Sequence, residues 1–187
     1  MQRGPERRTT MRRSVRVAVM VAVACASVVN CYARLGESLS ELTARYGQPV
    51  PQERRTPEQI MDPDINVFMQ SGVHIVVWLT PTATRGRVAG MIRYRFPRLL
   101  DATSGVVTGL LENNREGSSW GSGQRMFDQL GNLKTYWYRA DGGKATFIPE
   151  ERSLMNPDVV TIGPQLEVFS AEWDRSEALR ARERRQR

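Results

Sequence analysis

Apolar residues recur along this chain mainly in short runs with the spacing of strands. Three runs follow one another with only short turns between them, at Ile65 to Gln70, Val73 to Thr80 and Val88 to Phe96. The middle run is apolar at both alternating positions, which is typical of a strand covered on both faces of a sheet. The third run alternates, and its Arg93 and Arg95 lie on the side opposite Tyr94. The pattern predicts an antiparallel meander.

Two segments have the spacing of short amphipathic helices. The first, 39–46, follows Ser38 and carries Glu41 at the spacing of a capping box, and Gly47 and Pro49 then end it. The second is predicted over about 103–113, and its apolar residues form one stripe. These residues are Val106, Val107, Leu110 and Leu111.

The second half of the chain predicts a hairpin and further strands. Asp141-Gly142-Gly143, a strong hairpin turn, lies between strand-like runs at 133–140 and 144–148. Runs at 159–162 and 166–169 add one or two strands, and a Gly- and Ser-rich loop at 117–123 carries Trp120. We therefore predict an α+β fold in which a small antiparallel sheet, a meander plus a hairpin, is packed by two short helices.

The chain divides into three parts by composition. Residues 1–33 have the pattern of a secretory signal peptide, because basic residues precede an uncharged apolar run from Val17 to Val29. Translation begins at Met1 or at Met11, which would itself open a signal. Residues 34–170 form the single α+β domain, and 171–187 form a charged Arg-rich tail, helical or disordered. We expect a secreted or periplasmic protein.

The site of signal-peptide cleavage decides the cysteine content. Cleavage after Ala33 is the preferred prediction, and cleavage after Ala26 is the alternative. The two cysteines, Cys25 and Cys31, both precede Ala33, so cleavage there leaves a cysteine-free mature chain without disulfides. Two alternatives stay open: lipidation of Cys25, and retention of the apolar run as an anchor, although it is shorter than the ~20 residues of a typical span.

The positive charge lies at the two ends of the chain. The protein has 27 Lys and Arg against 20 Asp and Glu, a net charge of +7. Residues 1–33 carry six Arg and one Glu, and residues 175–187 carry six Arg and two Glu. The body between them is slightly acidic, which argues against nucleic-acid binding by the fold. The tail allows at most peripheral contact with an anionic membrane.

The order of the sequence motifs along the chain resembles that of many small uncharacterised exported bacterial proteins. Arg34-Leu35-Gly36-Glu37-Ser38 and Tyr46-Gly47-Gln48-Pro49 follow the signal, and Leu110-Leu111, Trp120 and the Asp141 hairpin come later. The resemblance covers roughly 34–170 and implies a fold and a compartment, with no reaction attached. The opening helix is also similar, over a shorter stretch, to that of the small lipoprotein of the outer-membrane barrel-assembly machinery.

No catalytic, metal or cofactor motif is present in the sequence. His74 is the single histidine and lies within an apolar strand, so a zinc site lacks its usual nitrogen and sulfur ligands. The 117–123 segment matches neither the dinucleotide-binding nor the P-loop pattern. Asp62-Pro63-Asp64 offers too few oxygens for Ca²⁺. We predict no cofactor, while a pair of carboxylates that meets only in space stays possible.

One charge asymmetry within the fold suggests a binding surface. Residues 65–100 contain no Asp or Glu and five arginines, Arg85, Arg87, Arg93, Arg95 and Arg98. Arg93 and Arg95 share a strand face, with Arg85 and Arg87 near its leading end, and His74 and Trp78 on the neighbouring run. Arginine beside tryptophan suits an anionic ligand, whereas the plainer interpretation is a solvated sheet face.

These observations lead to three hypotheses for function. The first is a non-catalytic exported module, structural or binding, that contacts an envelope or extracellular partner through the Arg93 and Arg95 face and the Trp120 loop. The second is an envelope-assembly accessory lipoprotein. The third is a carboxylate-dependent hydrolase that acts on glycans, which requires two close acids in a deep pocket.

Overall fold

The fold was analysed in a computed structural model, which describes residues 33–51, 62, 64–129, 131–152 and 160–177. The predicted signal peptide up to residue 32, both cysteines and the tail beyond 177 lie outside these residues. The helices are α1 (Leu39–Tyr46) and α2 (Ser104–Asn113), with a 3-10 turn at Leu99–Asp101 and helical residues at 173–177. None of the described helices is long and apolar enough to cross a membrane.

The described residues form nine strands, which are β1 Ile65–Gln70, β2 Val73–Thr82, β3 Gly86–Arg95, β4 Gln124–Phe127, β5 Leu133–Tyr138, β6 Lys144–Ile148, β7 Glu151–Arg152, β8 Val160–Ile162 and β9 Gln165–Phe169. Seven of them form one antiparallel sheet in the spatial order β1-β2-β3-β9-β6-β5-β4. The other two, β7 and β8, form a separate two-stranded ribbon.

The predicted α+β class is confirmed, with more sheet than expected. The meander is β1 to β3, and the predicted hairpin is β5 and β6 around Asp141. The strand β4 was not predicted, because Gln-Arg-Met-Phe is short and does not alternate between apolar and polar residues. The run at 159–162 supplies β8 to the separate ribbon, whereas β9 joins the main sheet between β3 and β6.

The helices cover one face of the sheet. The Tyr46 ring at the end of α1 lies 5.6 Å from the Phe68 ring on β1, centroid to centroid. The Asn114 side chain, directly after α2, donates to the Tyr94 hydroxyl on β3 at 3.1 Å. We call this the helix face, and its core consists of fully buried side chains, among them Leu42, Phe68, Ile75, Ile92, Tyr94, Leu110 and Leu166.

A smaller apolar cluster covers part of the opposite face. It consists of Ile65, Val67, Val76, Trp78, Met91 and Trp173, with Val50 and Phe169 packed against it. Trp173 belongs to the segment that the sequence analysis assigned to the charged tail. Its side chain is only 8% exposed, and Ser176 is buried as well. The described domain therefore continues past residue 170, because this one tryptophan anchors an otherwise polar segment to the sheet.

The first helix begins at the predicted capping box. Ser38 N donates to Glu41 Oε2 at 2.7 Å, and Glu41 N donates to the Ser38 hydroxyl. The backbone N–H of Ser38, and then its hydroxyl, lower the pKa of Glu41 because both donate to the carboxylate. Because the pKa of Glu41 is lowered, the stability that its bonds to Ser38 give α1 is fully present at pH values above the ordinary pKa of Glu. It is lost as the pH falls through the lowered pKa of the folded state.

Candidate functional site

The structure places Arg93 against partners from its own fold. In the register of β2 and β3, Val76 lies opposite Arg93, His74 opposite Arg95 and Trp78 opposite Met91, so these side chains share the face away from the helices. Arg93 Nε donates to Glu167 Oε1 at 2.7 Å, and the guanidinium carbon lies 4.9 Å from the Trp78 ring centroid. This guanidinium is paired and stacked internally, while His74 is exposed.

A β-bulge separates Arg87 from Arg93. Trp78 lies opposite Met91 but Leu79 lies opposite Ala89, so Gly90 is the extra residue on β3. Beyond the bulge, Arg87 lies opposite Pro81 and therefore on the helix face, where it forms an ion pair with Asp64. Arg85 lies in the exposed β2–β3 turn. The basic residues 85, 87, 93 and 95 thus do not form one continuous surface.

The indole of Trp120 is held from two sides. Trp120 Nε1 donates to the Leu111 carbonyl near the end of α2 at 2.6 Å, and the Arg139 guanidinium carbon lies 4.9 Å from the Trp120 ring centroid. The residue is half-buried and forms an isolated β-bridge with Arg139. Its indole N–H is already bonded, so it has no donor left for a partner.

Arg139 did not stand out in the sequence, but in the structure its guanidinium bonds to three other residues. Its side chain is 0% exposed. The guanidinium donates to Asp141 Oδ1 at 3.0 Å, to Glu116 Oε2 at 2.6 Å and to the Asn114 carbonyl at 2.5 Å. Any Cβ at position 143 would lie 2.3–2.5 Å from the guanidinium, so glycine is required there. The hairpin turn is therefore shaped around Arg139.

A hydrogen-bonded chain continues from this guanidinium to residue 33. The fully buried Asn114 side chain accepts from Leu35 N at 2.8 Å and donates to the Tyr94 hydroxyl. The Tyr94 hydroxyl in turn donates to the carbonyl of Ala33, which is also fully buried. We call this set (Ala33, Tyr94, Asn114, Arg139, Glu116 and Asp141) the polar network. It joins the start of the described domain to the sheet, α2 and the hairpin.

A cleft opens beside the polar network where β3 exchanges one neighbour for another. Ser170 N, just after β9, donates to the Gly90 carbonyl at 2.8 Å. One residue earlier on β3, Ala89 exchanges backbone bonds with Gly36 and Glu37 instead. The two neighbours diverge here and leave a cleft of about 510 Å³.

Polar groups line this cleft. Three acidic residues line it, Glu116, Asp141 and Glu172. The β2–β3 turn region adds Arg85 and the hydroxyl residues Thr82 and Thr84. Glu116 uses one oxygen to accept from Arg139. Asp141 uses both, because Oδ1 accepts from Arg139 Nε and from Gly143 N, and Oδ2 pairs with Arg139 Nη2. The carboxylate of Glu172 has no such partner among the described residues and is exposed.

Thr80 lies at the floor of the cleft with its hydroxyl unpaired. Thr80 is 2% exposed, and its Oγ1 has no hydrogen-bond partner among the described residues. The hydroxyl occupies space that only glycine leaves free, because a Cβ at position 90 would lie 2.1 Å from Oγ1. A buried hydroxyl without a partner costs free energy in the folded protein. Sequence patterning could not reveal this group, since it depends on the bulge.

No metal site is formed by the part of the chain that the structure describes. Within it, no group of three or more His, Cys, Asp or Glu side chains could hold an ion. Comparison of the chain with protein-family models, curated proteins and solved structures finds no match.

Replacing Thr80 by valine tests whether the hydroxyl is unpaired. Valine keeps the shape of the side chain and favours a strand, and it removes an unsatisfied buried group, so we expect T80V to raise the free energy of unfolding by about 1 kcal/mol. Chemical denaturation of both proteins measures this, with the exposed Thr108→Val on α2 as the control. Destabilisation by T80V would show that the hydroxyl has a partner in the folded protein.

Proposed function

We propose that this protein is an exported, non-catalytic binding module of the cell envelope or extracellular space, and that the cleft above Thr80 is its ligand site. The observation that carries the proposal is a polar cleft in which the exposed carboxylate of Glu172 has no partner among the described residues. Its volume of about 510 Å³ lies within the range of small-molecule sites, ~300–1,000 Å³.

The lining favours a small ligand that carries an amine and hydroxyl groups. Two of the three carboxylates that line the cleft, those of Glu116 and Asp141, already balance the buried Arg139. The exposed carboxylate of Glu172 is therefore the group that pairs with an amine. The exposed Thr84 adds a hydroxyl that donates to and accepts from a hydroxylated ligand. Thr82 Oγ1 instead donates to the Gly86 carbonyl and accepts from Arg85 N. Arg93 and Trp78, which the sequence suggested for an anionic ligand, are instead occupied by Glu167 and by each other.

The carboxylates of the cleft also bring the glycan hydrolase into consideration as a second candidate. Glycoside hydrolysis needs two carboxyl groups with oxygens free to donate and accept protons or attack the sugar. Both oxygens of Asp141 and one oxygen of Glu116 instead accept from Arg139 or from Gly143 N. We therefore rank binding above hydrolysis, and turnover of a glycan that is lost in E172Q would reverse this order.

Export is proposed from the signal pattern, and the contacts of Ala33 bear on which of the two cleavage sites we propose. Ala33 is fully buried, and its carbonyl accepts from the Tyr94 hydroxyl. Cleavage after Ala33 removes this acceptor and leaves the buried hydroxyl with only the Asn114 donor. Cleavage after Ala26 keeps it. The burial of Ala33 therefore favours the Ala26 site, which leaves Cys31 in the mature chain.

Mass spectrometry of the mature protein tests both export and this refinement. We expect the exported fraction to begin at Ser27 and to carry one free thiol. A chain that begins at Arg34 would contradict the refinement but not export, and an intact chain inside the cell would contradict export. A lipid on Cys25 would support the accessory lipoprotein instead.

Binding of an amine tests the proposed ligand class. We expect D-glucosamine to bind saturably in ligand-observed NMR and N-acetylglucosamine, which has no cationic amine, to bind more weakly. E172Q should weaken glucosamine binding by about fivefold, because it removes the charge that pairs with the amine. The control is Glu112→Gln, an exposed acid of α2 outside the cleft. Equal binding of both sugars, or none by either, would contradict this ligand class.

A further inference from the structure

The two edges of the seven-stranded sheet differ in how they are covered. At the β1 edge, Val50 N donates to the Val67 carbonyl at 2.7 Å, so a neighbouring segment bonds to that strand. At the other edge, β4 pairs only with β5 in the described part of the chain. All four β4 residues are exposed, Phe127 by 73% and Met126 by 45%, and Leu133 lies opposite Phe127. An edge with exposed apolar residues is a template for strand addition.

The hairpin register shows which backbone groups of β4 point outward. Asp128 N donates to the Asn132 carbonyl at 3.0 Å, which makes 128 and 132 a hydrogen-bonded pair. Because such pairs alternate along an antiparallel ladder, Met126 bonds toward β5 while Arg125 and Phe127 direct their N–H and C=O groups away from the sheet. A further strand must therefore bond to residues 125 and 127.

We propose that β4 pairs antiparallel with β4 of a second copy of this chain, with Met126 opposite the partner's Met126. This register places Arg125 opposite the partner's Phe127, and Phe127 opposite the partner's Arg125. Both residues of each pair have outward-pointing backbone groups, so they exchange both hydrogen bonds. Their side chains lie on the same face, where each guanidinium meets an aromatic ring.

Arg125 and Phe127 complement each other across the twofold axis, which favours this register and a second copy of the chain as the partner strand. A register centred on Arg125 would place two guanidinium groups directly opposite each other, and like charges at that position are unfavourable. A register centred on Phe127 would move Arg125 opposite the partner's Gln129, beyond the end of β4. The nearby Lys134 is already neutralised by Asp128 at 2.9 Å, so it adds no net repulsion.

The pairing joins two sheets edge to edge across a twofold axis. Each β4 has four residues, so the contact is small and the dimer is of the weak, concentration-dependent kind. This inference does not rest on the proposed ligand cleft, because the cleft lies beside β3 and β9 and not at the β4 edge.

Disulfide trapping tests the register in the full chain with Cys25→Ser and Cys31→Ser. Met126 and the partner's Met126 form the non-hydrogen-bonded pair, whose Cα separation of about 4.5 Å suits a disulfide. We expect Met126→Cys to form a disulfide-linked dimer. Arg125→Cys, displaced diagonally from its own copy, should form at least about tenfold less. Thr108→Cys, exposed on α2, measures random collision.

The outcomes of this experiment decide the proposal. A dimer from Met126→Cys that exceeds both other variants supports the register. It should be lost when Phe127→Lys is added, because that change places two positive charges opposite each other at position 125. Equal trapping at 125 and 126, or trapping at 126 no higher than at 108, overturns the proposal. Sedimentation of the uncrosslinked wild-type chain should show self-association that Phe127→Lys weakens, and a strictly monomeric wild type at all concentrations would also overturn it.

Discussion

The buried guanidinium of Arg139 determines where four segments of this protein meet. Its donors bind the end of α2, the following loop and the hairpin turn, and its face covers the Trp120 ring. A buried charge is tolerated only when its donors are bonded and its charge is balanced. Asn114, Glu116 and Asp141 supply both requirements, and Gly143 leaves the space that the guanidinium fills. The hairpin and the helix are thereby fixed to one point.

The consequences of this arrangement extend to the candidate site. Asn114 bonds to Arg139 through its backbone carbonyl and, through its side chain, to Leu35 and Tyr94, so the N-terminal segment is positioned by the same network. That segment forms one wall of the cleft at Gly36, and Glu116 and Asp141 form others. The carboxylates of the cleft are therefore structural ligands of a cation first, which is why we infer binding rather than proton transfer.

Sequence patterning predicted the elements that depend on local rules. The α1 cap, the three meander strands and the Asp141 hairpin each follow from spacing or turn chemistry within a few residues. The polar network could not be predicted in this way, because Arg139 and Asn114 are 25 residues apart and meet only after the sheet has formed. The Gly90 bulge similarly reversed the face of Arg87, and a single extra residue in a strand leaves no periodic signal.

The unfolding free energy of Arg139→Met, compared with that of Arg115→Met, tests the central claim most directly. Arg115 is 51% exposed and pairs with Glu112 on the surface, so its loss should change stability by no more than about 0.5 kcal/mol. Loss of Arg139 leaves two carboxylates and a helix-terminal carbonyl without their donor. Because both carboxylates are partly exposed to water, we expect a cost of about 2–4 kcal/mol. Equal stability of the two variants would contradict the account.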